Sequence, residues 1–264
     1  IPWVSTPALD QLGVGLVEVL PRRVLVLYNP GESPDLHYSD ALRFLGAPLA
    51  WLGLTPDYVP VNGPLPAYPL NGRYAGIVSW INSDEPEGTA PYADWLEQQV
   101  EAGIPLAVFS RFGLAYDAPL LRRLGLQVQE TDPAGAFKVS SPSSMTGFEV
   151  ATLTRPGNIY PLRLQGKGQP LLTLTSSAGQ VFHPAALTPW GGYALAPYTV
   201  VSLPGEDNGA RWFINPLTFL QQALRLDPAV PVPDITTENG RRLLLVHIDG
   251  DGFASAAERT GAPP

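Results

Sequence analysis

Short, strongly apolar runs that recur at intervals long enough for a helix constrain this chain more than any other feature. Arg22-Arg23-Val24-Leu25-Val26-Leu27-Tyr28 is rich in β-branched and aliphatic residues and ends at Asn29-Pro30. Without polar alternation, such a run is a strand buried on both faces, as in a parallel sheet. Residues 40–54 follow with apolar side chains at 41, 42, 44, 45, 49 and 52, a helical pattern weakened by Gly46 and Pro48. The short strand Tyr58-Val59-Pro60-Val61 closes this first unit. The unit then repeats. Tyr74-Ala75-Gly76-Ile77-Val78-Ser79-Trp80 reads as a strand, and residues 91–102 as a helix with Pro91 in its first turn and Gly103 where a C-cap falls. Tyr92, Trp95, Leu96, Gln99 and Val100 share one face of that helix, which places Trp95 in the core. Ile104-Pro105-Leu106-Ala107-Val108-Phe109 is a further strand, and residues 115–124 a further helix ending at Gly125. Strands alternating with helices over short connections predict an α/β fold with a flavodoxin-like, doubly wound and mostly parallel sheet.

From about residue 136 the period changes to two. Phe137-Lys138-Val139, Phe148-Glu149-Val150, Pro161-Leu162-Arg163-Leu164 and Leu171-Leu172-Thr173-Leu174 are separated by Gly, Ser, Pro and Asn, which predicts antiparallel strands and turns. Residues 193–203 resume strand character, and 215–226 read as a helix with Pro216 in its first turn. The economical layout is one α/β domain over 22–226 carrying an inserted antiparallel β subdomain at about 136–192. A separate β domain in series is the competing layout. Residues 1–21 read as an incoming linker and 227–240, with Pro228, Pro231 and Pro233, as a stiff one.

Composition removes several function classes. Sixteen Lys and Arg stand against 24 Asp and Glu, a net charge of -8 with no basic block, which argues against nucleic-acid binding. The chain has no cysteine, so thiolate nucleophiles, thiolate zinc sites and disulfides are excluded. His37, His183 and His247 are the only imidazoles. No apolar run approaches the roughly 18 residues of a membrane helix, so no membrane span is expected. The chain opens at Ile1 rather than Met and without a charged-then-apolar leader. That start is expected of a piece of a longer precursor, with a cleaved signal peptide as the rival explanation.

The densest chemistry lies in His247-Ile248-Asp249-Gly250-Asp251-Gly252-Phe253, which follows the buried-type strand Arg242-Leu243-Leu244-Leu245-Val246. Two carboxylates two residues apart at a strand end can divide the work of proton transfer and metal binding. A turn in which Asp and Gly supply left-handed backbone angles is the alternative. A calcium loop is excluded by spacing, since Ala254 stands where Gly is required and Thr260 where Glu is required. His247 is the weaker candidate, a satisfied strand histidine being the simpler reading.

Residues 241–253 resemble the first motif of the polysaccharide deacetylase domain of PelA-like proteins, which serve Pel exopolysaccharide biosynthesis. The order of parts is similar too, with Pro21-Arg22-Arg23-Val24-Leu25-Val26-Leu27-Tyr28 resembling the start of the middle region that precedes that domain. The resemblance implies Asp249 as catalytic base and Asp251 as a ligand of a divalent metal, zinc by the family pattern. The paired histidines that complete that site belong well downstream, so residues 241–264 are expected to be the opening of a deacetylase domain, inactive alone. No cofactor is expected in this segment itself. The resemblance further implies a periplasmic protein that acts on an exopolysaccharide, carries a glycoside hydrolase ahead of this region, and meets a protein of the Pel export machinery.

The strand-to-helix turn Val108-Phe109-Ser110-Arg111-Phe112-Gly113 sits where class I glutamine amidotransferase-like domains hold their nucleophile elbow. The cysteine is missing, no Gly sits two residues before Ser110, and no His-x-Glu pair is present to serve it. A degenerate elbow is expected, with Ser110 as nucleophile the competing reading and Arg111 a candidate for an anionic or sugar ligand. Trp190, in the loop-like Thr188-Pro189-Trp190-Gly191-Gly192, is the best candidate for an exposed sugar-stacking ring. Ser83-Asp84-Glu85-Pro86-Glu87 is expected to be a solvated loop and His183, before Pro184, a loop histidine. The function expected is therefore a non-catalytic scaffold portion of an exopolysaccharide-modifying protein. A carbohydrate-binding module and an α/β serine hydrolase using Ser110 are the alternatives.

Overall fold

The computed structural model describes residues 20–88, 90–129, 135–140, 143–202, 209–228 and 232. The chain divides into residues 1–232 and 233–264, and the described residues all belong to the first of these units. Eight described strands form one sheet in the order β2-β1-β3-β4-β10-β9-β8-β6. Its first five are β2 (Thr55–Pro60), β1 (Arg23–Tyr28), β3 (Tyr74–Ile81), β4 (Leu106–Ser110) and β10 (Gly191–Leu195). Every pair among them is parallel. The order 2-1-3-4 with a fifth strand beyond is that of flavodoxin-like sheets, so the fold is α/β as its alternating runs predict.

The antiparallel strands β9 (Val181–Thr188), β8 (Gln169–Thr175) and β6 (Lys138–Ser140) continue the same sheet outward from β10. The insertion expected at 136–192 is therefore an extension of the central sheet and not a layer of its own. The reason is β10 itself, which hydrogen-bonds in parallel to β4 on one side and antiparallel to β9 on the other. Two smaller pairings stand apart. β5 (Leu126–Val128) joins β7 (Leu162–Leu164), and β11 (Val200–Ser202) joins β12 (Ala210–Trp212). Phe148-Glu149-Val150 is not a strand. The Phe148 and Glu149 amides donate to Phe213 and Trp212 carbonyls, and the Glu149 carboxylate accepts from the Trp212 amide at 2.6 Å.

Four helices flank the sheet among the described residues. α1 (Asp40–Trp51) starts at Ser39, whose hydroxyl accepts from the Leu42 amide, and carries Pro48 inside it. α2 is Ala90–Glu101 and α3 is Pro119–Arg123. α3 is shorter than the 115–124 pattern suggests because Pro119 pushes Ala118 to an extended ψ of 125°. α4 (Pro216–Ala223) is capped by Asn215, whose side chain accepts from the Leu217 and Thr218 amides.

Alternation along the strands sorts side chains onto two faces. Val24, Val26, Val78, Trp80 and Phe109 pack with Leu45 and Leu49 of α1 and Phe219 of α4. Leu25, Leu27, Ile77 and Val108 pack with Tyr92 and Leu96 of α2 and Leu121 of α3. Helices therefore cover both faces, the doubly wound arrangement. Trp95 is buried as its helix position predicts, and its indole donates to the Pro66 carbonyl at 2.8 Å.

Candidate functional site

Strand order reverses at β1, which has β2 on one side and β3 on the other, so the chains leaving β1 and β3 diverge and open a crevice at the carboxyl end of the sheet. A cleft of about 160 Å³ lies there, lined among others by Asn29, Glu32, Tyr38, Asp40, Arg43 and Asn82. Asn29 directly follows β1 and caps the 3-10 turn Pro30–Glu32 by accepting from the Gly31 amide at 3.0 Å. Glu32 reaches across to the end of β3, where the Asn82 amide lies 2.9 Å and 3.0 Å from its two oxygens and the Ser83 amide 2.9 Å from Oε1. Asp40, at the start of α1, accepts from Asn82 Nδ2 at 2.9 Å and pairs with Arg43 at 3.5 Å.

Ser110 occupies the elbow at the end of β4. Its φ is +67°, a left-handed angle that L-residues other than Gly, Asn and Asp seldom adopt. Its amide donates to Thr199 Oγ1 at 3.3 Å, and its carbonyl accepts from the Ala196 amide at 2.9 Å. The residue is 5% exposed, and its Oγ donates to Asn82 Oδ1 at 2.7 Å. Trp80 Nε1 donates to that same amide oxygen at 3.2 Å. An amide oxygen accepts hydrogen bonds but does not take protons at neutral pH, so nothing in this contact activates the hydroxyl. Of the described histidines, His37 is exposed beside Asp35, and His183 accepts from the Leu164 amide. The elbow holds its serine as a hydrogen-bond donor in a fixed network. This geometry carries a prediction: replacing Ser110 by Gly releases the backbone strain while losing the Oγ bond, whereas Ala loses the bond and keeps the strain. Ser110→Gly should therefore be more stable than Ser110→Ala by about 1 kcal/mol in urea denaturation, and equal stabilities would contradict the strain.

Arg111 follows Ser110 in the elbow. It pairs with Asp84 at 3.4 Å and lies over the Tyr160 ring at 5.5 Å, while the Tyr116 hydroxyl donates to Asp84 Oδ2 at 3.2 Å. The acidic loop expected to be solvated thus supplies the counter-charge of Arg111, and burial raises the Tyr160 phenol above its ordinary range. Ser110 ends β4 and Arg111 follows it at the carboxyl end of the sheet.

Trp190 is not the exposed ring expected of it. It is 9% exposed, lies nearly parallel to Tyr193 at 6.2 Å, and donates its indole N–H to the Leu124 carbonyl at 3.0 Å. The Pro and Gly around it suggest a loop, but they serve a tight connection into β10 that drives the ring into the core. Asp249, Asp251 and His247 lie outside the described residues. Among the described residues, no group of three or more His, Asp and Glu is placed to hold a metal ion. The zinc site that the deacetylase resemblance implies rests on Asp249 and Asp251, outside these residues, and needs three protein ligands.

His183 lies on β9 and not in a loop, and burial, followed by the Arg163 charge, lowers its pKa below 6.5. A histidine held neutral stabilises the fold above its unfolded pKa, and this contribution is lost as pH falls through the depressed value. The urea midpoint should fall between pH 7.5 and 5.5, and less steeply in His183→Gln; parallel profiles would contradict this.

Sequence reasoning singled out Ser110 and Arg111 but missed Glu32, Asp40, Asn82 and Thr199. The only sequence signal for the first of these is Asn29-Pro30 directly after a buried strand, where α/β sheets bind ligands.

No protein-family model matches the chain, and no curated protein sequence matches it. Solved structures do show similarity. A glutamine amidotransferase from Thermotoga maritima is 16% identical with a TM-score of 0.38, covering 65% of this chain and 74% of that one. A glutamine amidotransferase from Methylobacillus flagellatus is 12% identical with a TM-score of 0.39, covering 64% and 66%. A ThuA-like protein from Parabacteroides merdae is 12% identical with a TM-score of 0.41, covering 77% and 88%. The likeness is one of fold.

Proposed function

We propose that this chain is the non-catalytic α/β portion of a periplasmic exopolysaccharide-modifying protein of the PelA-like kind, placed directly ahead of its deacetylase domain. One observation carries the non-catalytic reading: the elbow hydroxyl donates to the side-chain amide of Asn82, with Trp80 fixing that amide from the other side. The exopolysaccharide reading is supported by the likeness of residues 241–253 to the first deacetylase motif. Under it, Asp249 is the base and Asp251 a metal carboxylate of the following domain, with an export-machinery protein as partner. The test uses the native polypeptide that contains this chain and continues past Pro264. It should release acetate from a poly-N-acetylhexosamine, and Asp249→Asn should abolish the release, whereas Ser110→Ala should leave it unchanged. No release from the longer polypeptide, or release undiminished by Asp249→Asn, would overturn the reading.

Carbohydrate binding by this portion itself finds support in the cleft at β1 and β3. Asn29, Asp40 and Asn82 offer amide and carboxylate groups there, and Tyr38, 65% exposed, supplies a ring at the rim. Retention of the chain on partly deacetylated polymer, reduced at least fivefold in Tyr38→Ala, is the expected result. Equal retention of both forms would remove the cleft from consideration.

A further inference from the structure

The Glu32 carboxylate accepts more hydrogen bonds than a surface latch requires. Besides the Asn82 and Ser83 amides, the Ser83 hydroxyl donates to Oε1 at 2.7 Å and Asn29 Nδ2 at 3.0 Å. Two consecutive backbone N–H groups, a hydroxyl and a side-chain amide converge on one planar oxyanion, the arrangement of an anion nest. Three of these four donors belong to elements other than the turn that carries Glu32 or its cap. The acceptor arrives from 50 residues earlier in sequence, on a three-residue 3-10 turn, and Glu32 itself is exposed.

We propose that the end of β3 is a latent oxyanion-binding nest, kept shut by the chain's own Glu32, which accepts the carboxylate of a small ligand when Glu32 leaves it. The inference stands on these hydrogen bonds and does not depend on the exopolysaccharide reading. Charge favours the exchange. One carboxylate replaces another, and the neighbouring charges already cancel in pairs, Asp40 with Arg43 and Asp84 with Arg111. The donors do not need Glu32 to stay in position. Asn82 is held by Trp80, Asp40 and Ser110, and Asn29 Nδ2 also reaches the Ser83 hydroxyl at 3.3 Å. The cleft beside the nest gives the body of such a ligand a place to lie.

The test is chemical rescue of the full chain with formate and acetate as probes. Glu32→Ala should lose about 4 °C or more of thermal midpoint, and about 100 mM formate should restore at least half of it, while chloride at equal ionic strength restores none. In amide-resolved NMR, the Asn82 and Ser83 resonances of the variant should move on formate addition, and those of the wild type should not. If Glu32→Ala does not fold, Glu32→Gln takes its place, and formate should shift the two amides at concentrations that leave the wild-type amides unmoved. Equal effects of formate and chloride, or identical titrations of variant and wild type, would overturn the proposal.

Discussion

Gly191→Ala should cost about 4 kcal/mol or more of unfolding free energy, or leave the chain unable to fold, the range in which only gross steric or polar disruption operates. Gly191 has a φ of +140°, open to glycine but not to side-chain-bearing residues, and faces Leu106 across the parallel ladder between β4 and β10. A Cβ there would drive into the Leu106 carbonyl oxygen, which is backbone and has no rotamer to yield. Gly192 is nearly as confined, its Cβ meeting the Ala186 carbonyl oxygen at 2.9 Å. Because β10 alone joins the parallel strands to β9, β8 and β6, the clash separates the two halves of the sheet. Urea denaturation read by circular dichroism measures the loss, and a cost below about 1 kcal/mol would show that β10 does not seat on β4 as described.

Trp80→Ala should cost about 3–5 kcal/mol, the range for removing a buried large aromatic. Its indole is stacked between Phe44 at 5.1 Å and Phe109 at 5.4 Å, with Trp212 edge-on at 5.7 Å. The same ring donates to Asn82 Oδ1, so the substitution also removes one of the restraints that fix the partner of Ser110. Trp80→Phe should keep most of the packing and lose the indole donor, costing about half as much. Equal costs for the two variants would place the energy of this site in the hydrogen bond and not in the stack.

The parallel half of the sheet was legible because strands buried on both faces are dominated by apolar residues, and Val24 to Leu27 and Ile77-Val78 carry that mark. Trp95 was legible as core for the same reason, since helical spacing gives its face directly. The place of β10 was not. Its partner β4 lies some eighty residues earlier, and nothing local in Gly-Gly-Tyr-Ala-Leu tells a parallel neighbour from an antiparallel one. Trp190 reads as exposed because Pro189, Gly191 and Gly192 signal a turn, whereas that turn lets backbones approach and carries the ring inward. The elbow could be read from its position after a strand, but its chemistry could not. Whether Ser110 is a nucleophile depends on what its hydroxyl touches, and Asn82 sits 28 residues away, just past the end of β3. Glu32 was invisible for the same reason, its partners being set by the crevice between β1 and β3 and not by any spacing along the chain.

Under the proposed function, the β4 elbow presents a fixed hydrogen-bond donor and not a nucleophile. A fluorophosphonate probe, which modifies activated serines, tests this on the 264-residue chain by intact mass and peptide mapping. No adduct at Ser110 is expected after prolonged exposure at neutral pH. An adduct on the Ser110 peptide that disappears in Ser110→Ala would contradict it.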